Sequence, residues 1–165
     1  MDRVELQALQ RPLKERYREE PASALVTLRA EGRLDESTVA CSVATGRALV
    51  EAGLHPATGG TGAFACSGDM LLQALAACAG VTLCSVATSL ELVVAGTVRV
   101  EGDIDFRGTL GVDKEVSVGF TAIRLFFDLE HEASDDQIET LLRLTRRYCT
   151  VLQTLVAGCP VEIGI

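Results

Sequence analysis

The sequence predicts an α+β fold in which antiparallel strands surround one long buried helix. Three observations support this prediction. Residues 67–84 are rich in Ala and Leu, and no charged residue follows Asp69 within them. Short segments on both sides of this stretch alternate between apolar and polar residues, as half-buried strands do. The chain has 165 residues, which is enough for one domain with a substantial core.

The central helix is predicted from its residue types. Ala, Leu, Met and Gln have high helix propensity and fill most of residues 70–79. Ser67 is a suitable N-cap, and Asp69 would lie in the first turn, near the positive end of the helix dipole. Within residues 70–79 the polar side chains are Gln73 and the thiol of Cys78, so no solvated face is visible. We therefore expect a core helix, shorter than the ~20 apolar residues of a membrane span.

The first 21 residues are predicted to form a helical arm, because apolar residues recur among charges at helical spacing. Pro12 would bend this helix and Pro21 would end it. Residues 22–165 are then predicted to form a single domain, since no linker or low-complexity tract interrupts them.

A small antiparallel meander is predicted before the central helix. Its strands are expected at Ala24–Arg29, Thr38–Val43 and Arg47–Ala52, with a turn at Glu31–Arg33. The glycine-rich loop 55–63 lacks the features of a phosphate-binding loop. We therefore expect its glycines to allow a close approach of backbones.

After the central helix, half-buried strands are predicted at Thr97–Asp105 and Phe120–Leu129, with a loop at Arg107–Gly119 between them. Ser134–Gln137 has the pattern of a capping box and predicts the start of a second helix. A closing strand is expected at Val161–Ile165.

Composition excludes several function classes. The net charge of −8 argues against nucleic acid and against an anionic membrane surface as partners. Six cysteines without CxxC spacing, and a charged, polar N-terminus, favour reduced thiols in the cytoplasm. Two isolated histidines make a metal site improbable, so no metal and no bound cofactor are predicted.

Cys78 presents two alternatives. A thiol within an apolar helix is expected to have a raised pKa and to be inert, and free cysteine is often a small core residue. A nearby cation would instead favour the reactive thiolate. Arg29, Arg33 and Arg47 could supply it, and a carboxylate such as Asp69 could hold the arginine in place. Residue type alone favours the first alternative, in which Cys78 is a core residue.

Four segments together resemble the OsmC/Ohr family of osmotically inducible and organic hydroperoxide resistance proteins. They are Thr58–Gly62, Ser67–Cys78, Arg147–Cys149 and Cys159–Val161. The resemblance covers residues 24–165. It implies an OsmC-like fold in an intertwined homodimer, with antiparallel sheets wrapped around the central helices of both subunits.

The resemblance also implies an activity, that of a thiol-dependent oxidoreductase, a peroxidase of the oxidative stress response that reduces organic hydroperoxides. Cys78 matches the peroxidatic cysteine, which would become a sulfenic acid. Cys149 matches the resolving cysteine, which would form a disulfide with it. Arg33 matches the catalytic arginine, with Arg29 as an alternative, and Asp69 stands where the family has a glutamate. An external dithiol would then restore both thiols.

Two other functions remain open from the sequence. The same fold could hold an apolar ligand between subunits without peroxidase activity, because the central helix is apolar and has few polar neighbours. The chain could also be a structural subunit in which every cysteine is a core residue.

Overall fold

The computed structural model describes residues 2–5, 7–8, 11, 19, 32–35, 40–44, 49–111 and 113–164, with the backbone alone for 32–35 and 40–44. Residues 3–5 and 7–8 are helical, as are residues 11 and 19. Most of the predicted N-terminal arm and the whole of the predicted strand Ala24–Arg29 lie outside the described residues.

The described residues contain a run of strands before the long helix and two helices at the end, as in an α+β fold. The strands are β1 Gly32–Asp35, β2 Ala40–Ala44, β3 Leu49–Gly53, β4 Ala65–Cys66, β5 Val94–Ile104 and β6 Phe120–His131. The helices are α1 Ser67–Ser89, α2 Phe106–Thr109, α3 Asp135–Tyr148 and α4 Thr150–Ala157, and a 3₁₀ turn spans Pro56–Thr58.

The chain folds as two compact units. The first contains Met1–Thr27, Leu75–Arg99 and Phe126–Ile165, and the second contains Leu28–Ala74 and Val100–Leu125. The thiols Cys78 and Cys149 both belong to the first unit.

A four-stranded sheet in the order β1-β2-β3-β4 forms much of the second unit. Its first three strands form an antiparallel meander, in which β2 and β3 match the predicted strands Thr38–Val43 and Arg47–Ala52, and β4 pairs with β3 in parallel. The turn expected at Glu31–Arg33 is wrong, because Arg33 pairs with Ser42 inside β1. Pairing with a neighbouring strand here outweighs the local turn preference of glycine.

Helix α1 is the predicted central helix, and it is buried along one stripe. Its buried residues recur at every fourth position: Leu75, Ala79, Leu83 and Ala87. The prediction of a helix without a solvated face is therefore wrong for the single chain. Another face of the helix carries exposed apolar residues. They include Leu71 and Val81, and 72% of the surface of Val81 is exposed. By length and composition α1 could also cross a membrane, but the core helix of a soluble protein passes the same test.

The core of the first unit lies between α1 and α3. Leu141 of α3 is 0% exposed and packs with Leu83 and Ala87 of α1. The predicted capping box at the start of α3 is confirmed: Ser134 Oγ accepts from the Gln137 N–H at 3.4 Å, and Gln137 Oε1 accepts from the Ser134 N–H at 2.9 Å. The cap fixes where α3 begins.

Strands β5 and β6 pair in a second sheet. Both predicted strands are confirmed, although β5 begins earlier, at Val94, and passes through Gly96. Gly96 has φ of 129°, and a Cβ there would lie 2.0 Å from the Asp128 carbonyl oxygen. A side chain is therefore excluded at this position. The predicted loop after β5 contains the short helix α2.

The closing strand expected at Val161–Ile165 is wrong for its described part, since residues 158–164 form no strand. Val161 and Ile163 are exposed. A strand requires a neighbouring edge to pair with, and residues 158–164 pair with none among the described strands.

We expect Leu141→Ala to lower the free energy of unfolding by about 2–5 kcal/mol, because it empties a fully buried site between α1 and α3. Leu110→Ala makes the same chemical change at an exposed position and is expected to have a much smaller effect. Urea unfolding monitored by circular dichroism measures both. Equal losses in the two variants would contradict this description of the core.

Candidate active site: two thiols at a helix N-terminus

Cys78 lies half-way along α1, beside the buried stripe, and its side chain is half-buried. Cys149 is the single residue between α3 and α4, and it is 0% exposed. Both are free thiols. The structure thus brings a partly accessible thiol and an inaccessible one into the same unit.

The backbone of Cys149 is fixed by the two helices it joins. Its N–H donates to the Thr145 carbonyl oxygen at 2.9 Å, and its own carbonyl oxygen accepts from the Gln153 N–H at 2.9 Å. Cys149 is therefore both the C-cap of α3 and the N-cap of α4. These two bonds leave its thiol little freedom to move away from the start of α4.

The two thiols are close enough for each to affect the pKa of the other through a side-chain hydrogen bond. The first N–H groups of α4 surround them. Those of Thr150 and Val151 donate to the sulfur of Cys78, and those of Val151 and Leu152 donate to the sulfur of Cys149. The N–H groups of a first helical turn have no partner within their own helix and carry partial positive charge, so they favour an anion.

The pKa of Cys78 reflects two opposed effects. Desolvation by burial raises it, but hydrogen bonds from the Val151 N–H, Cys149, Thr82 and the Thr150 N–H together outweigh the burial, so the pKa is lowered. The Thr82 hydroxyl also donates to the Cys78 carbonyl oxygen at 2.7 Å. Because it has one proton, it serves one of these two acceptors at a time.

The pKa of Cys149 moves in the opposite direction. Desolvation by burial raises it, and the Leu152 and Val151 N–H groups offset this only in part. The neighbouring Cys78 raises it further, because a thiolate at Cys78 accepts the proton of Cys149 in a hydrogen bond and repels a second negative charge. The site therefore favours a thiolate at Cys78 and a thiol at Cys149.

The other predicted site residues lie in the second unit or outside the described residues. Asp69 lies in the first turn of α1 and lines a cavity of about 350 Å³ in the second unit, together with His55 and Cys66. Arg33 lies in β1, where the structure describes the backbone alone. The two alternative arginines, at positions 29 and 47, lie outside the described residues. The roles of Arg33 and Asp69 stay predictions.

Sequence reasoning expected a last helical turn or two before Gly158 but did not place the start of this helix beside the thiols. It expected a guanidinium to stabilise the Cys78 thiolate, which stays a prediction; among the described residues, the Val151 and Thr150 N–H groups and the side chains of Cys149 and Thr82 do so. A signal was present: Thr150–Ala157 is a run of apolar and helix-compatible residues directly after Cys149. What the sequence could not show is that the start of this helix faces α1.

No three His, Cys, Asp or Glu residues come together as metal ligands in the part of the chain that the structure describes. The described residues of the site supply the chemistry of thiols and of hydrogen-bond donors. A thiol of lowered pKa beside a second free thiol at a helix N-terminus is the environment in which cysteines are reactive.

Comparison with known families identifies the chain. A family model described as OsmC-like protein matches residues 60–164. The chain belongs to this family, and the resemblance inferred from its sequence is confirmed. A search of curated proteins finds no match.

Solved structures with a similar fold include an OsmC-like protein from Mycoplasma pneumoniae, with a TM-score of 0.67, 18% identity, and 81% of this chain and 89% of that chain covered. An organic hydroperoxide resistance protein from Elizabethkingia anophelis has a TM-score of 0.60, 16% identity, and coverage of 81% and 91%. An organic hydroperoxide resistance protein OsmC from Legionella pneumophila has a TM-score of 0.55 and 16% identity, with 79% of this chain and 90% of that chain covered. At these identities the likeness shows the fold.

We expect iodoacetamide to modify Cys78 at a lower pH than Cys149, because the pKa of Cys78 is lowered and that of Cys149 is raised. The thiolate is the reactive form, so each alkylation rate rises as pH passes through the pKa of that thiol. Mass spectrometry of peptides from protein alkylated between pH 5 and pH 10 measures both midpoints. In urea the midpoints should converge, and a native midpoint for Cys149 at or below that of Cys78 would contradict the site.

Proposed function

We propose that the protein is a thiol-dependent peroxidase that reduces organic hydroperoxides, with Cys78 as the peroxidatic and Cys149 as the resolving cysteine. The observation that carries this proposal is the hydrogen-bonded thiol pair, in which the start of α4 lowers the pKa of the half-buried Cys78. Two proteins of similar fold are named organic hydroperoxide resistance proteins, which supports the substrate class.

The proposed chemistry has three steps. The Cys78 thiolate attacks one peroxide oxygen, so an S–O bond forms, the O–O bond breaks, and a sulfenic acid and an alcohol result. The sulfur of Cys149 then displaces the hydroxyl group as water and forms a disulfide. Because the two thiols are already hydrogen-bonded, a small movement brings the sulfurs to the ~2 Å of an S–S bond. An external dithiol finally reduces the disulfide.

Arg33 and Asp69 complete the proposal. The guanidinium of Arg33, held by the carboxylate of Asp69, would assist the departure of the leaving oxygen by charge-assisted hydrogen bonds. No bound cofactor is needed, since the electrons come from the external dithiol. Five free thiols among the described cysteines are typical of a reducing compartment, so we propose a cytoplasmic location.

The alternative of a binding protein for an apolar ligand requires an unreactive Cys78 with a raised pKa. The lowered pKa of Cys78 favours the peroxidase. Co-purified lipid together with an inert Cys78 would favour the alternative.

We further propose that the functional state is a homodimer. In the single chain, α1 exposes Leu71, Ala74 and Val81. These residues recur at three- and seven-residue spacing and therefore share one apolar face. Cys78 lies between Ala74 and Val81 on the helix, so a second copy that covered this face would also enclose the reactive thiol. Exclusion of water there would strengthen the hydrogen bonds to the thiolate.

Peroxide consumption tests the proposed activity. We expect Cys78→Ser to abolish turnover of cumene hydroperoxide with a dithiol reductant, since serine is not a nucleophile at neutral pH. Cys84→Ser makes the same change at an exposed position of α1 and is expected to keep the parent rate. After one equivalent of peroxide, non-reducing mass spectrometry should show a Cys78–Cys149 disulfide. Undiminished turnover in Cys78→Ser would refute the proposal.

Sedimentation measurements test the dimer. We expect Val81→Asp to convert a dimer into a monomer, because it places a charge on the apolar face of α1. Val118→Asp introduces the same charge at another exposed valine and should leave the dimer intact. A monomeric parent protein at micromolar concentration, or a Val81→Asp variant that stays dimeric, would contradict this interface.

A further inference from the structure

We propose that the cavity of the second unit binds a small methylated ammonium ion. The cavity has a volume of about 350 Å³ and is lined by residues of that unit alone. Aromatic rings and carboxylates form half of its lining: His55, Phe106, Phe120, Asp69 and Asp103. Aromatic faces together with negative charge are the groups that recognise an organic cation. This site goes beyond the proposed function, because it involves no reaction of the thiol pair.

Two of the rings form a stacked pair. The centroids of His55 and Phe106 lie 4.9 Å apart, and their planes make an angle of 16°. Nδ1 of His55 accepts a hydrogen bond from the Ala57 N–H at 3.0 Å, which holds the imidazole ring in place. Nδ1 carries no proton while it accepts this bond, so the ring is then neutral and does not repel a cation. The pair thus presents an ordered aromatic surface in the wall of the cavity.

A glycine in β5 makes room for the third ring. A Cβ at position 102 would lie 2.4 Å from Cε1 of Phe120, so a side chain is excluded there. At position 68 a Cβ would lie 3.4 Å from Cζ of Phe120 and 3.6 Å from Sγ of Cys66. The ring and the thiol therefore both lie against the first turn of α1, which also carries Asp69. These distances bring an aromatic ring, a thiol and a carboxylate around the same space.

The two carboxylates differ in their free charge. Both oxygens of Asp103 accept hydrogen bonds from Arg124, at 2.5 and 2.8 Å, so the charge of Asp103 is compensated. Asp69 makes no ion pair with any residue that the structure describes, so it supplies uncompensated negative charge at the cavity. A carboxylate has about four lone-pair positions. The role proposed for Asp69 in holding Arg33 is therefore compatible with the attraction of a second cation.

The small number of free acceptors indicates which kind of cation fits. A primary ammonium group has three N–H donors, and donors that leave water without finding acceptors cost free energy. In this cavity Nδ1 of His55 and both oxygens of Asp103 already accept hydrogen bonds. A fully methylated ammonium has no N–H donor, and its charged methyl groups pack directly on aromatic rings. It enters beside Asp69, which is exposed at the rim.

Choline and its neutral isostere 3,3-dimethylbutan-1-ol test this proposal, since the two molecules share a shape and differ in charge. We expect choline to bind with a Kd of about 1 mM or tighter. The isostere should bind at least about tenfold more weakly, because it makes neither cation–π nor ion-pair contacts. Titrations followed by NMR of the backbone amides measure both constants, and the largest shifts should fall at Gly68 and Gly102.

Substitutions remove the charge and the aromatic surface separately. Asp69→Asn is expected to weaken choline binding about fivefold, whereas Asp135→Asn, the same change in the first turn of α3, should have no effect. Phe120→Leu keeps an apolar side chain but removes the ring, and should also weaken binding about fivefold. Phe106→Leu gives the same comparison if the Phe120 variant does not fold, as judged by circular dichroism.

The thiol of Cys66 reports on occupancy without any substitution. It is a free, half-buried thiol in the wall of the cavity. At a choline concentration about ten times Kd, roughly one cavity in ten is empty. Alkylation of Cys66 by iodoacetamide should therefore slow about tenfold, whereas the exposed Cys84 of α1 should react at an unchanged rate. Mass spectrometry of the two peptides measures both rates in one sample.

The outcomes are distinct. Saturable binding of choline that protects Cys66 and weakens in Asp69→Asn supports the site. Equal binding of choline and its neutral isostere overturns recognition of the cation. Absence of choline binding, or binding that leaves both Gly102 and Cys66 unaffected, overturns the site itself. Peroxide turnover is measured separately, so each of these results leaves the proposed peroxidase function as it stands.

Discussion

The contact between the Cys78 sulfur and the start of α4 is the interaction on which the site depends. An apolar helix opposes charge on a thiol, because burial removes the water that would solvate the thiolate. The N–H groups of Thr150 and Val151 supply replacement solvation that is already in place before any substrate binds. A lowered pKa of Cys78 therefore coexists with an apolar environment.

The packing of the first unit holds this contact in place. Leu141 anchors α3 against α1 from a fully buried position. Cys149 alone separates α3 from α4, so the position of α3 also sets where the N–H groups of α4 point. The core and the thiol pair are thus parts of one arrangement, in which the second cysteine also ends one helix and begins the next.

The two cysteines have identical side chains but different chemistry, because the pKa of Cys78 is lowered and the pKa of Cys149 is raised. The half-buried Cys78 meets the N–H groups while it remains partly accessible, and the inaccessible Cys149 keeps its proton. One hydrogen bond couples them, so oxidation of the first changes the acidity of the second. In the proposed homodimer, a second subunit on the exposed apolar face of α1 would remove the remaining water from Cys78.

Much of this protein follows from its sequence. Helix propensity and the absence of charge predicted α1, the pair Ser134 and Gln137 predicted the start of α3, and local motifs around Cys78 and Cys149 indicated the OsmC-like family that the family match confirms. These features depend on residues close together in the chain. Tertiary structure alone decided which groups surround the thiols, which stripe of α1 is buried, and that residues 161–164 remain unpaired. Each of these is set by segments distant in sequence, whose meeting depends on packing.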